Sequence, residues 1–141
     1  MSGEAGIIEV NLTGMVKTAS AVIPQMVKNG SGHFIGLSSM ADELLSGIAP
    51  SYHASKAGFS NYLKGLAIAL KPKGVNITNI RFGFVDTKMA KGDIRPFMMT
   101  VEKAVDYIEH CIRKKPVSCT APKIMIPLIK FRRFIMKLGA K

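Results

Sequence analysis

A chain of 141 residues amounts to one domain, and with 48% apolar residues and 13 glycines it can bury a core, which excludes a disordered protein. No apolar run is long enough to cross a bilayer, and "MSGEAGIIEV" lacks the basic start and apolar stretch of a secretory signal, so a cytoplasmic location is expected. The net charge of +11 is uneven: nine lysines and arginines and no acid lie from Arg113 onward, against eleven basic and nine acidic residues before it, so the basicity belongs to the tail.

Residues 4–28 read as one long helix, with Ile8, Leu12, Met15, Ala19, Val22 and Met26 as its apolar stripe and Pro24 kinking or loosening its end. "NGSG" (29–32) is a turn, and "HFIGLSS" (33–39) suits a buried parallel strand. After a loop closed by Pro50, a second helix is expected over 52–70, with Phe59, Leu63, Leu66 and Leu70 on one side and "KPKG" as its stop. "VNITNIRFG" (75–83) is a strand rich in β-branched residues. A loop over 86–99 holds three methionines and Phe97, and Thr100 then caps a helix over 101–114. "VSCTAPKIMI" (117–126) can carry a third strand, although Pro122 argues against its middle. Alternating helices and strands imply an α/β fold with a parallel sheet over residues 1–126.

The remainder, 127–141, reads as a basic amphipathic helix opened by Pro127. Leu128, Phe131, Ile135 and Leu138 line one face, and Lys130, Arg133, Lys137 and Lys141 another. Such a helix either lies on an anionic membrane surface, giving peripheral membrane contact, or packs its apolar face on the domain. Only Phe131 and Phe134 interleave with the tail's charges and no nucleic-acid motif is present, so nucleic acid is not an expected partner. Cys111 and Cys119 match no metal or redox spacing, and His33, His53 and His110 are scattered, so reduced thiols and no metal are expected.

The chemistry begins at "SYHASK" (51–56). Tyr52 and Lys56 are four residues apart, one helical turn, on the same face. A phenol has a pKa near ~10 and is a poor base at neutral pH, but a nearby ammonium favours the phenolate and makes proton exchange with an alcohol or carbonyl feasible. The pair is also an ordinary helix surface, so its surroundings matter. Thirteen residues earlier Ser39 ends a predicted strand, at the sheet edge where open α/β folds bind ligands, and a hydroxyl there can donate to a carbonyl oxygen. Ser38 is its neighbouring alternative. Twenty-eight residues before Ser39, Asn11 stands inside the first helix near Gly14, both poor helix-interior residues. It is either a surface amide or the mark of a local helix break that holds a water near the site.

Asn11 in "NLTG", Ser39 in "GLSSM", and Tyr52 with Lys56 in "YHASK" resemble the catalytic tetrad of the short-chain dehydrogenases/reductases, in order, spacing and type of element. "RFGFVDT" (81–87) resembles the family's loop against the nicotinamide carboxamide, matching at Gly83, Val85 and Thr87, with Phe82 where the family has proline. The resemblance covers the chain to about residue 115 and implies an NAD- or NADP-dependent oxidoreductase interconverting an alcohol and a carbonyl. Tyr52 would be the general acid/base, Ser39 would polarise the carbonyl, Lys56 would hold the nicotinamide ribose and favour the phenolate, and Asn11 would order a relay water. The family's substrate segment would fall at Met89, Phe97, Met98 and Met99, which suits an apolar substrate, although core filling explains the same residues as well. Family members commonly pair through the helices expected here over 4–28 and 52–70, which implies a homo-oligomer.

The family's glycine-rich turn, TGxxxGxG, is not found in these residues. "GSGHFIG" (30–36) has glycines at similar intervals but runs into a strand, where the motif must open a helix. The residue that would choose NAD or NADP is likewise not found. The expectation is therefore a partial Rossmann-like fold, its N-terminal βαβ half missing, with impaired cofactor binding. The alternative is a catalytically inactive half-domain acting as an interaction piece.

Overall fold

β-Branched and apolar residues at the centre of the chain form a three-stranded parallel sheet in the order β1-β2-β3. The strands are β1 (Gly32–Ser39), β2 (Val75–Phe82) and β3 (Ser118–Ala121). The computed structural model describes residues 3–45, 47–87 and 97–138. β1 and β2 run in register from Gly32↔Val75 to Ser39↔Phe82, so both strands end at the same level. β3 is shorter than the expected 117–126 because it stops before Pro122, which has no N–H to give a ladder.

The first helical segment is not one α-helix. α1 (Glu4–Ile8) passes into a π-helical turn, Glu9–Thr13, and then into α2 (Gly14–Lys28), with the Gly14 N–H donating to the Glu9 carbonyl five residues back. A π turn takes up one more residue than an α turn. The inward face accordingly runs through Leu12, Val16, Ala19, Ile23 and Met26, while Met15 and Val22, expected inside, are exposed. Of the two readings left open for Asn11, a surface amide or a local helix break, the structure has the break, as this turn. Pro24 sits within α2.

α3 (Pro50–Leu70) starts two residues before the expected 52, because Pro50 has a fixed φ suited to the first helical position. Ala49 gives this helix no side-chain cap, and the Glu4 carboxylate supplies one by accepting from the Ser51 N–H at 3.0 Å. α2 and α3 cover one face of the sheet. Ala19, Ile23, Phe59, Leu63, Ala67 and Leu70 meet Val75 and Ile77 there in the main core. Close approach depends on two glycines. A Cβ at Gly36 would overlap Leu63, and one at Gly58 would come within 3.0 Å of Leu12 in the π turn. α4 (Val101–Lys114) is capped as expected, by the Thr100 hydroxyl accepting from the Lys103 N–H, and it packs against β2 and β3.

α5 (Met125–Leu138) begins before Pro127, not at it. Its docked side is Met125, Ile126 and the buried Ile129, whereas Leu128, Phe131 and Ile135, the face expected to pack if the helix lay on the domain, are exposed. Among the described residues no helix is long and apolar enough to cross a membrane, and no group of metal-ligating side chains occurs.

Candidate active site

Ser38 and Ser39 close β1, and the pleat sends neighbouring side chains to opposite faces. Ser38 is buried, and its hydroxyl lies 2.8 Å from that of Ser60 on α3. Ser60 gives its own proton to Asp42, so it accepts from Ser38 and, at 3.0 Å, from the Asn79 amide. Ser39 faces a cavity of about 560 Å³ together with Tyr52. Its oxygen accepts from the Ala41 N–H at 3.2 Å, which orients the hydroxyl and leaves its proton to donate. Of the two serines, the one with a free donor at an open site is Ser39.

α3 brings Tyr52 and Lys56 to the same end of the sheet. The Lys56 ammonium lies 5.9 Å from the Tyr52 ring centroid and donates to the Leu37 carbonyl at 3.3 Å. Burial pushes its pKa below the ordinary lysine value, since the charged form gives up water. An ammonium has three donors, and Leu37 is its one acceptor among the described residues, so the remaining donors fit a polyol such as the ribose of a dinucleotide. Tyr52 meets His53 edge to face, centroids 5.9 Å apart. The His53 Nδ1 lies 2.9 Å from the Ala41 carbonyl and 2.8 Å from that of Leu44, so this nitrogen carries the proton and ties the loop after β1 to α3.

Asn11 reaches the site through an intermediary. Its amide donates to the Ser55 hydroxyl at 3.3 Å, and Ser55 donates to the Tyr52 carbonyl at 2.7 Å. The π turn therefore presents Asn11 to the turn of α3 between Tyr52 and Lys56. Ser55, missed in the sequence, had one visible signal: it stands in "YHASK", three residues after the tyrosine.

A buried ion-pair knot beneath the cavity was also missed. Asp42, in the short 3₁₀ turn Met40–Glu43, takes two hydrogen bonds from Arg81 of β2, Nε at 2.7 Å and Nη2 at 2.6 Å. Arg81 also pairs with Glu43 at 2.6 Å and donates to the Thr120 hydroxyl of β3 at 3.3 Å. Burial opposes the charge of Arg81, but the bonds and charges of Asp42 and Glu43 outweigh it and hold the guanidinium above its ordinary pKa. The knot fixes the turn that follows Ser39 to all three strands.

Gly83, Val85 and Thr87 lie in the cavity wall with Ser39 and Tyr52. Val85 is held by a parallel bridge to Met99, with the Met99 N–H donating to the Phe84 carbonyl at 2.9 Å and the Asp86 N–H to the Met99 carbonyl at 2.8 Å. Met89 lies outside the described residues. Phe97, Met98 and Met99 line a separate hollow of about 480 Å³ with Tyr107 and Pro122, not the Tyr52 cavity. The apolar wall of that cavity comes from Leu44, Leu45, Phe84, Met125 and Ile129 instead, and α5 adds Arg132. The arrangement can donate a hydroxyl hydrogen bond to a carbonyl oxygen and exchange a phenol proton beside an ammonium.

The chain is similar to known proteins in sequence and in fold. The chain is 41% identical over 104 residues to an uncharacterized oxidoreductase of Myxococcus xanthus, covering 72% of this chain and 41% of that protein. It is 27% identical over 115 residues to a very-long-chain 3-oxoacyl-CoA reductase of Coprinopsis cinerea, covering 82% and 33%. A short-chain dehydrogenase of Burkholderia cenocepacia in complex with NADP superposes with TM-score 0.79 at 23% identity, over 95% of this chain and 59% of the other. One of Streptomyces avermitilis superposes with TM-score 0.80 at 18% identity, over 99% and 60%. At those identities the superpositions speak for the shared fold alone. The chain thus spans 41% and 33% of the lengths of the two curated relatives. The sequence model of the short chain dehydrogenases matches residues 5–96, from α1 through the cavity loop, and the chain belongs to that family.

Proposed function

We propose that this chain carries the proton-transfer apparatus of an NAD(P)-dependent oxidoreductase that interconverts an apolar alcohol and its carbonyl compound. The observation that carries the reading is a single one: Ser39 and Tyr52 face one cavity, with the half-buried Lys56 ammonium beside the tyrosine ring. A bound nicotinamide supplies or accepts the hydride. Ser39 donates a hydrogen bond from its free hydroxyl to the substrate oxygen as charge develops there. Tyr52 gives or takes the proton of the alcohol, and Lys56 would hold the ribose hydroxyls. Asn11 acts through Ser55 as a positioning residue for the Tyr52 turn. Gly83, Val85 and Thr87 would border the nicotinamide, and residues 1–126 form the catalytic unit with 127–141 as its basic helical extension.

TGxxxGxG does not occur in these 141 residues, so the chain alone is expected to show no saturable NADH or NADPH binding in the micromolar range. The test is ketone-dependent NADPH oxidation at millimolar cofactor, comparing the chain with Tyr52→Phe. The variant should lose at least about a hundredfold in rate while keeping its circular dichroism spectrum. Retention of most activity refutes the role of the tyrosine.

A second reading has its own observation. Val10 is 66% exposed and Ile68 79% exposed, on the helices through which a homo-oligomer would form. No turnover with any ketone, together with a dimer on size exclusion, favours a non-enzymatic pairing module. Peripheral membrane contact through α5 rests on exposed Leu128, Phe131, Phe134 and Ile135 beside Lys130 and Arg133. Vesicles of anionic lipid should sediment the full chain and not a chain ending at Pro127.

A further inference from the structure

Among the described residues that line the cavity of Ser39 and Tyr52, one carries a permanent charge, Arg132 of α5, and none is a carboxylate. Ile129, three residues earlier on the same helix, is buried in that wall, and this seats Arg132 at the cavity one turn on. The two acids of the turn after β1, Asp42 and Glu43, are already engaged. Arg81 takes Asp42 and Glu43, and Glu43 has a further partner in Arg133 at 3.9 Å. Arg132 thus has no acidic partner among the described residues. Much of the remaining lining is apolar, with Leu44, Phe84 and Met125 among it.

A guanidinium beside low-dielectric walls attracts an anion more strongly than one in open water, and its planar fork fits carboxylate or phosphate oxygens two at a time. We propose that Arg132 is a specificity-determining residue: it anchors the anionic end of an apolar carbonyl substrate whose reacting oxygen lies at Ser39 and Tyr52. The inference rests on the reading of this cavity as the substrate site. It narrows that reading from any apolar ketone to one with a terminal anion.

The test measures binding, without turnover, by calorimetric or NMR titration of the full chain with 8-oxononanoate, its methyl ester, and the matching keto-alkyl phosphate. The acid and the phosphate should bind on the order of five- to tenfold more tightly than the ester. Whichever of the two binds more tightly identifies the head group. Arg132→Gln should abolish the difference, Arg132→Lys should keep part of it, and Arg133→Gln should leave it unchanged. Molar salt should narrow the gap. Equal affinity of all three ligands, a preference that survives Arg132→Gln, or no saturable binding of any below about 10 mM overturns the proposal. Since the readout needs no proton transfer, a Tyr52→Phe variant that retains turnover would sink the catalytic reading while leaving an anion preference intact.

Discussion

Removal of the Asp42 carboxylate tests the knot that holds the cavity together. The side chain is 2% exposed and accepts two bonds from Arg81 and one from Ser60. In Asp42→Ala the Arg81 guanidinium, 11% exposed, keeps only Glu43 as an acidic partner, and Ser60 loses its acceptor. Breaking a buried ion pair by deleting one partner typically costs about 3–5 kcal/mol, since the other charge stays buried. Glu43 remains at 2.6 Å but is 28% exposed, so it offsets part of the loss and places the expectation near the lower end, about 3 kcal/mol. A domain of this size has on the order of 5–15 kcal/mol in total, so the variant should melt roughly 10 °C lower. Urea unfolding followed by far-ultraviolet circular dichroism reads the change directly, with an unchanged denaturant slope. Replacing both partners, Asp42→Leu with Arg81→Met, should recover much of the loss, because no charge is then left unpaired. A loss below about 1 kcal/mol for Asp42→Ala would show that the knot is solvated and does not hold the turn.

Gly36→Ala should destabilise the chain by about 1–3 kcal/mol through overpacking, because its Cβ would overlap Leu63 and come within 2.9 Å of the Phe59 ring. The melting temperature of the variant measures this, and an unchanged value would mean that the α3 side chains yield freely. His33 lies 2.8 Å from the Thr78 hydroxyl, which itself donates to the Pro116 carbonyl, so Nε2 is the donor. Burial first, and then the charge of Lys115, hold its pKa below the ordinary 6.5. The unfolded chain thus binds this proton first, and the contribution of His33 is present above 6.5 and lost as pH falls through its lower folded value. His33→Gln should flatten stability against pH in that window, and an identical slope in both proteins would refute the assignment. The Cys111 thiol is fully buried, and burial, with the Cys119 thiol adding to it, pushes its pKa up to about 12. Iodoacetamide at pH 8 should therefore leave Cys111 unmodified in the native chain, as peptide mass spectrometry can check.

Local signals were the ones that could be read before the structure. α4 carries Thr100 as its cap and apolar residues at i, i+3 and i+4, so its bounds of 101–114 follow from the sequence, and β2 declares itself by its β-branched run. The positions that resemble the family tetrad were likewise visible, because each has a fixed spacing. Pairings between distant polar residues were not. Asp42, Ser60 and Arg81 look like three unrelated polar positions, and only the folded sheet and α3 bring them to one point. The face on which α5 docks was illegible for a related reason. Its apolar residues ring much of the helix, and tertiary contact with the turn after β1, not periodicity, selects Met125 and Ile129 over Leu128 and Phe131.

The π turn at Glu9–Thr13 amounts to a stored insertion. Taking one residue out of it would let α1 and α2 fuse into a continuous α-helix, and would rotate everything upstream by about 100° about the axis. The helix would survive, but Glu4 would swing away from the start of α3 and Asn11 away from Ser55. Relatives that dispense with the amide are then free to dispense with the turn, and a one-residue gap confined to positions 9–13 would record that loss. The spare residue serves alignment, and its presence in a sequence is a marker of a helix under obligation to two partners at once.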